Sequence, residues 1–296
     1  MNERTIPAAA STLPDFLCIG AQRSGTTWLD RQLRLHPDIL LPSDRKEVHY
    51  FDRHHDRGEH WYAALFAAPP GRTDTERLVR GEITPMYLFD PEVPARINAL
   101  LPEVKLVAML RNPAARAWSH YGHSRRNSNY TADFETFLGE NEQAFTRGCY
   151  AEQLERYVSL FGRERLRVFV FEEVLADPDR SIAELCDFLG LDRGRMREEV
   201  EREKSNESYL PRHAGAYRLA IGAVDWLRRR DLYWVFNLAR KLGVSGRLFG
   251  SRGAHESMPP DAREALMARY AEDIRRLETL LGRDLDVWRP SPPSAQ

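Results

Sequence analysis

Gly20-Ala21-Gln22-Arg23-Ser24-Gly25-Thr26-Thr27 is the stretch that decides the fold. It follows Asp15-Phe-Leu-Cys-Ile-Gly20, an apolar run short enough for a buried strand, and precedes a helical pattern from Thr26 to Leu35. Its spacing is that of a phosphate-binding loop, G-x-x-x-x-G-K-[ST], except that Thr26 stands where the lysine belongs. A loop of this shape turns successive backbone N–H groups inward, and the helix behind it adds partial positive charge. An anion is therefore the expected occupant. The one cation in the loop is Arg23, and the missing lysine argues against an ordinary nucleoside triphosphatase.

Outward from this loop, strands and helices alternate. Leu78–Thr84, Lys105–Leu110 and Leu166–Phe171 read as further strands. Helices are expected over 57–68, 91–101, 113–126, 133–146, 149–161 and 179–189, the last closed by Gly190. Asn112 caps the helix that opens with Pro113, whose missing N–H costs nothing there. Such alternation implies a parallel sheet with right-handed crossovers. Residues 1–14 are expected to be a disordered leader and 15–296 a single domain. After a charged run at 193–203, helical stretches near 214–242 and 259–282 form a helical C-terminal cap from about 205. The fold class is α/β, a P-loop-like central parallel sheet flanked by helices.

Lys and Arg number 43 against 44 Asp and Glu, giving a net charge of −1. A general nucleic-acid binder is normally basic, so no nucleic-acid partner is expected. The 3 cysteines, Cys18, Cys149 and Cys186, form no metal-like pair and no disulfide framework. No run approaches a membrane span and no apolar signal segment opens the chain. The expectation is a cytoplasmic protein in a reducing compartment, of undetermined oligomeric state.

A second candidate anion site follows the strand 105–110. Arg111 stands at its end, where open α/β sheets bind ligands, and Ser119 lies eight residues on. A guanidinium offers a bidentate fork to phosphate. Arg116, Arg125 and Arg126 on the same helix read as surface charges.

Here the chain resembles the sulfotransferases that use 3′-phosphoadenosine 5′-phosphosulfate (PAPS), especially bacterial members and the heparan sulfate enzymes. Gln22-Arg23-Ser24-Gly25-Thr26-Thr27-Trp28 resembles their 5′-phosphosulfate loop, and Arg111 with Ser119 resembles their 3′-phosphate motif. Lys46-Glu47-Val48-His49-Tyr50-Phe51-Asp52 is similar to the Glu-Val-His-Phe-Phe segment that carries the catalytic base. The resemblance implies Glu47 as base, Arg23 as the charge-stabilising cation and His49 as the rival base. Gly81-Glu82-Ile83-Thr84-Pro85-Met86-Tyr87 resembles Glu-Lys-Thr-Pro-x-Tyr, with Ile83 in place of a lysine. That departure weakens the case for a highly sulfated polymer as acceptor. Glu82 either assists in the site or binds backbone at the strand end.

More loosely, Tyr150 matches a position near the nucleotide, and Lys204, Asn206, Ser208 and Arg212 resemble a loop that covers it. The implied reaction moves a sulfuryl group from PAPS to a hydroxyl, or less readily an amine, of a small-molecule or carbohydrate acceptor. No metal is required. His49, His54, His55 and His60 crowd one stretch, but without a standard ligand spacing they read as a polar, acceptor-facing surface. Two alternatives remain: a nucleotide or phosphate kinase on the same fold, and a PAPS-binding protein without activity.

Overall fold

The computed structural model describes residues 12–72, 74–128, 130–197 and 257–289. The stretches expected at 214–242 and around Lys204 to Arg212 lie outside the described residues. The chain gathers into two compact units, one of residues 1–111, 150–199 and 276–296, the other of 112–149 and 200–275.

The first unit is built on a five-stranded, wholly parallel sheet in the order β2-β3-β1-β4-β5. Its strands are β1 (Phe16–Gly20), β2 (Ile39–Leu40), β3 (Val79–Ile83), β4 (Lys105–Leu110) and β5 (Leu166–Val170). Every residue of β1 is buried, as a strand covered on both faces requires. Edge strand β5 instead leaves Arg167 in solvent. The helices are α1 (Thr26–Arg34), α2 (Gly58–Ala64), α3 (Val93–Leu100), and, later in the chain, α7 (Tyr150–Phe161), α8 (Phe171–Ala176) and α9 (Pro178–Leu189). Phe16, Cys18, Leu29, Leu33, Val107, Met109, Phe169, Leu185 and Leu189 share one apolar core. Because β1 sits between β3 and β4, the strand order reverses beside it, and the crevice at its carboxyl end is where such sheets take ligands.

The second unit contains α4 (Pro113–Asn127), α5 (Phe134–Glu140), α6 (Glu142–Thr146) and the first part of α10 (Pro260–Leu281). Asn112 does cap α4: its side chain accepts from the Ala115 amide at 3.0 Å. Ala114, Ala117, Tyr121, Phe134, Phe137, Leu266 and Tyr270 form this unit's core. Arg116 corrects the sequence reading. Its side chain is fully buried and donates to the Ala144 carbonyl, so it is no surface charge.

Other departures have local causes. The helix expected over 57–68 ends at Ala64. That expected over 133–146 breaks at Asn141, whose φ of −130° and ψ of 82° are not helical. Phe171, read as the end of a strand, instead opens α8.

Candidate active site

The loop between β1 and α1 is assembled from small residues and strained backbone. Gly25 has φ +88°, and a Cβ there would lie 2.4 Å from the Phe171 ring, so only glycine fits. Arg23 has φ 71°, and His49 has φ 57°; among the described residues they are the non-glycine positions with positive φ. Such backbone costs about 1–3 kcal/mol per residue and persists where surrounding structure enforces it, often at functional sites. The amino end of α1 is left uncapped by side chains, and its first turn carries no acidic residue to oppose an anion. Ser24 is fully buried, and its hydroxyl has no hydrogen-bond partner. A buried polar atom without a partner is costly, and an oxyanion in the loop would satisfy it. The loop thus fits an anionic group.

Arg111 reaches this loop from the end of β4. Its Nη1 donates to the Arg23 carbonyl at 3.3 Å, and its guanidinium lies 5.3 Å from the centroid of the Phe171 ring. The ring that excludes a Cβ at Gly25 thereby also seats Arg111. Tyr150 is fully buried behind it and donates its hydroxyl to the Arg111 carbonyl at 2.9 Å.

The segment 46–52 brings several ionisable side chains together. Glu47 Oε2 lies 3.2 Å from His49 Nε2, and His49 Nδ1 lies 2.8 Å from Asp52 Oδ2. Burial alone would raise the Glu47 carboxyl, but the His49 hydrogen bond and the Lys46 charge outweigh it and hold the pKa below its ordinary value. Burial would lower His49, but hydrogen bonds to Asp52 and Glu47 raise it. With both ring nitrogens facing carboxylates, His49 is held as the doubly protonated ion to higher pH than usual. Glu47 keeps 40% of its side chain exposed, open to an incoming molecule.

Glu82 explains why this segment adopts its shape. The carboxylate is fully buried, and burial pushes it up to about 7, although three hydroxyls donate to it. Tyr62 donates at 2.6 Å, Thr84 at 2.8 Å and Tyr87 at 3.1 Å. A hydroxyl has one proton; once given to Glu82, its lone pairs can only accept. Thr84 then accepts from the Val48 amide at 3.0 Å and the His49 amide at 3.4 Å, and Tyr87 from the Phe51 amide at 3.3 Å. Glu82 reaches this segment through hydroxyls: it orders Thr84 and Tyr87, which hold the backbone of Val48, His49 and Phe51.

Sequence reasoning did not find Lys46 as a member of this site. Its Nζ lies 3.2 Å from Thr26 Oγ1, 3.3 Å from Thr27 Oγ1 and 3.6 Å from Glu47 Oε1. An ammonium thus stands beside the loop that lacks a lysine of its own. Its position beside Glu47 was visible in the sequence; its contact with residues twenty positions earlier was not.

Comparison with known proteins supplies the family and supports the fold. The model of the sulfotransferase domain matches residues 13–208. The chain belongs to the sulfotransferase family. Human heparan sulfate glucosamine 3-O-sulfotransferase 6 is 32% identical over 188 residues, covering 61% of this chain and 53% of that protein. The mouse bifunctional heparan sulfate N-deacetylase/N-sulfotransferase 4 is 29% identical over 201 residues, covering 60% of this chain and 22% of that protein. This family member thus spans about half the length of the 3-O-sulfotransferase it matches, and less of the bifunctional enzyme. A crystal structure of a sulfotransferase from Alicyclobacillus acidocaldarius superposes with TM-score 0.66 at 29% identity, covering 94% of this chain and 99% of that one.

Gln22 is half-buried and Thr27 exposed, while Trp28 packs partly against the core of the first unit. Ser119 lies in the second unit, half-buried on α4. Lys204, Asn206, Ser208 and Arg212 lie outside the described residues. His54 packs edge-on to Trp61 and His55 to Tyr50, and His60 is exposed. Among the described residues no three His, Cys, Asp or Glu side chains gather to hold a metal, and no helix is long and apolar enough to cross a membrane.

Proposed function

We propose that this protein transfers a sulfuryl group from PAPS to a hydroxyl of a carbohydrate or small-molecule acceptor. An amine is the less favoured acceptor. The observation that carries the reading is one arrangement. The uncapped amino end of α1 and the unpartnered Ser24 hydroxyl adjoin, through Lys46, an exposed carboxylate that its neighbours keep ionised.

Sulfuryl transfer, like phosphoryl transfer, asks the protein mainly to position groups and stabilise charge. Ser24 to Thr27 hold the 5′-phosphosulfate through amides and hydroxyls, and Arg23 meets the charge that grows on the leaving oxygen. Arg23 acts by electrostatics alone, since a guanidinium does not give up its proton. Arg111 takes the 3′-phosphate and Tyr150 steadies the Arg111 backbone, while Ser119 keeps only the role that its motif's resemblance implies. Glu47 accepts the acceptor's proton as the new S–O bond forms. His49 is the weaker candidate base because carboxylates occupy both ring nitrogens. Its charge instead orients Glu47. Lys204, Asn206, Ser208 and Arg212 keep the nucleotide-covering role that their resemblance implies.

The test is to incubate the protein with PAPS and a mixed metabolite extract. A mass gain of one sulfuryl group on an extract component is expected. Nucleotide binding with no sulfated product across a broad acceptor panel would favour a silent binder instead.

A further inference from the structure

We propose that Lys46 is a catalytic residue on the donor side, whose ammonium meets the 5′-phosphosulfate in place of the lysine missing at position 26. This rests on the PAPS reading above and names a residue that the loop motif does not contain.

Lys46 is held where two functions meet. Its ammonium has three protons; hydroxyls of Thr26 and Thr27 accept at 3.2 and 3.3 Å, and the Glu47 carboxylate stands at 3.6 Å. Neutral hydroxyls are modest partners for a cation, and a carboxylate that is 40% exposed is screened by water. A phosphosulfate seated on the α1 amides would bring more charge into the same space. Charge-assisted bonds to such an anion are stronger than those to neutral hydroxyls. Lys46 keeps 23% of its side chain exposed, so its ammonium can shift toward a ligand.

The neighbouring cations do not duplicate it. The Arg111 guanidinium is seated over Phe171 and bonds the Arg23 carbonyl, and Ile83 brings no charge. Arg23 can donate hydrogen bonds but does not give up its proton, whereas an ammonium can do both as the leaving oxygen becomes basic. The step balances without a co-reactant. The acceptor oxygen bonds to sulfur, and its proton passes to Glu47. The bond from sulfur to the bridging oxygen breaks, and its electron pair stays on the 5′-phosphate that Lys46 faces. Because the same ammonium stands beside Glu47, one side chain links leaving group and base.

The test uses two probes on the full chain. Adenosine 3′,5′-bisphosphate carries the 5′-phosphate, and adenosine 3′-monophosphate lacks it. Affinities are measured by calorimetry, with competition for the weaker ligand, for wild type, Lys46→Met and Lys46→Arg. Lys46→Met is expected to weaken the bisphosphate about tenfold or more. Its affinity for the monophosphate should stay within about twofold. Lys46→Arg should recover most of the bisphosphate affinity. Unchanged bisphosphate binding in Lys46→Met would overturn the proposal, as would equal weakening of both probes, which marks a merely structural role. A wild type that ignores the bisphosphate would overturn the PAPS reading itself, and this proposal with it.

Discussion

The loop 20–27 and the segment 46–52 face the same chemistry but are held in shape by different means. The loop carries its shape largely in its own residues, with Phe171 and Arg111 packed against it. Gly25 permits its own φ of +88°, and Ser24, Thr26 and Thr27 carry their own hydroxyls. The base segment is shaped from outside. Its backbone amides at Val48, His49 and Phe51 are caught by Thr84 and Tyr87, whose protons are fixed by the buried Glu82. A loop whose own glycine and hydroxyls carry its pattern can be read as a motif, whereas a segment whose shape is set by distant hydroxyls needs the fold. The proposed chemistry overlaps at one side chain: the loop is assigned to the donor and Glu47 to the proton, while Lys46 stands at both.

The sharpest way to break this division is Glu47→Gln. Turnover should fall about 10²–10⁴-fold while nucleotide affinity in calorimetry stays at the wild-type value. Near-normal turnover would remove Glu47 from the base role; lost affinity would show that the two regions do not work separately.

Gly25→Ala attacks the other side. Its Cβ would lie 2.4 Å from the Phe171 ring at a backbone angle that alanine resists. Denaturant unfolding should show a loss of about 2 kcal/mol or more, and binding of adenosine 3′,5′-bisphosphate should weaken strongly. Wild-type stability would mean the loop relaxes without cost.

Thr84→Val keeps the shape and deletes the hydroxyl that links Glu82 to the base segment. Stability should drop by about 1–3 kcal/mol, because buried polar groups lose a partner. Once an acceptor is known, turnover should fall while nucleotide affinity holds. Reduced affinity with normal turnover would reverse the assignment of the two regions.

The smallest effect sharpens the role of Glu82. Its folded pKa of about 7 exceeds the ordinary 4.5. Between those values the native state holds a proton that the unfolded chain has released, so this group's contribution to stability falls as pH rises. Melting temperature against pH should therefore decline less across that window in Glu82→Gln than in wild type. Parallel curves would show that the carboxyl ionises freely in the folded chain.

The sequence made the sheet legible because its central strands are uniform apolar runs between turn residues, as in Phe16–Gly20 and Lys105–Leu110. Two-residue β2 has too little length to signal, and Phe171-Glu-Glu-Val-Leu-Ala reads as more strand until its helical turn is seen. Arg116 was misread because arginine is normally exposed, and only packing in the second unit shows otherwise. Glu47, the loop and Arg111 were picked out by their resemblance. Lys46 and the templating role of Glu82 were not, since each depends on contacts between residues 20 or more positions apart.

The most direct measurement is a crystal structure of the protein with adenosine 3′,5′-bisphosphate. The 5′-phosphate should lie on the amides of Ser24 to Thr27, within hydrogen-bond reach of the Ser24 or Thr26 hydroxyl and facing the side of the pocket that holds Glu47. A bisphosphate bound away from the β1–α1 loop, leaving those amides to solvent, would contradict the account.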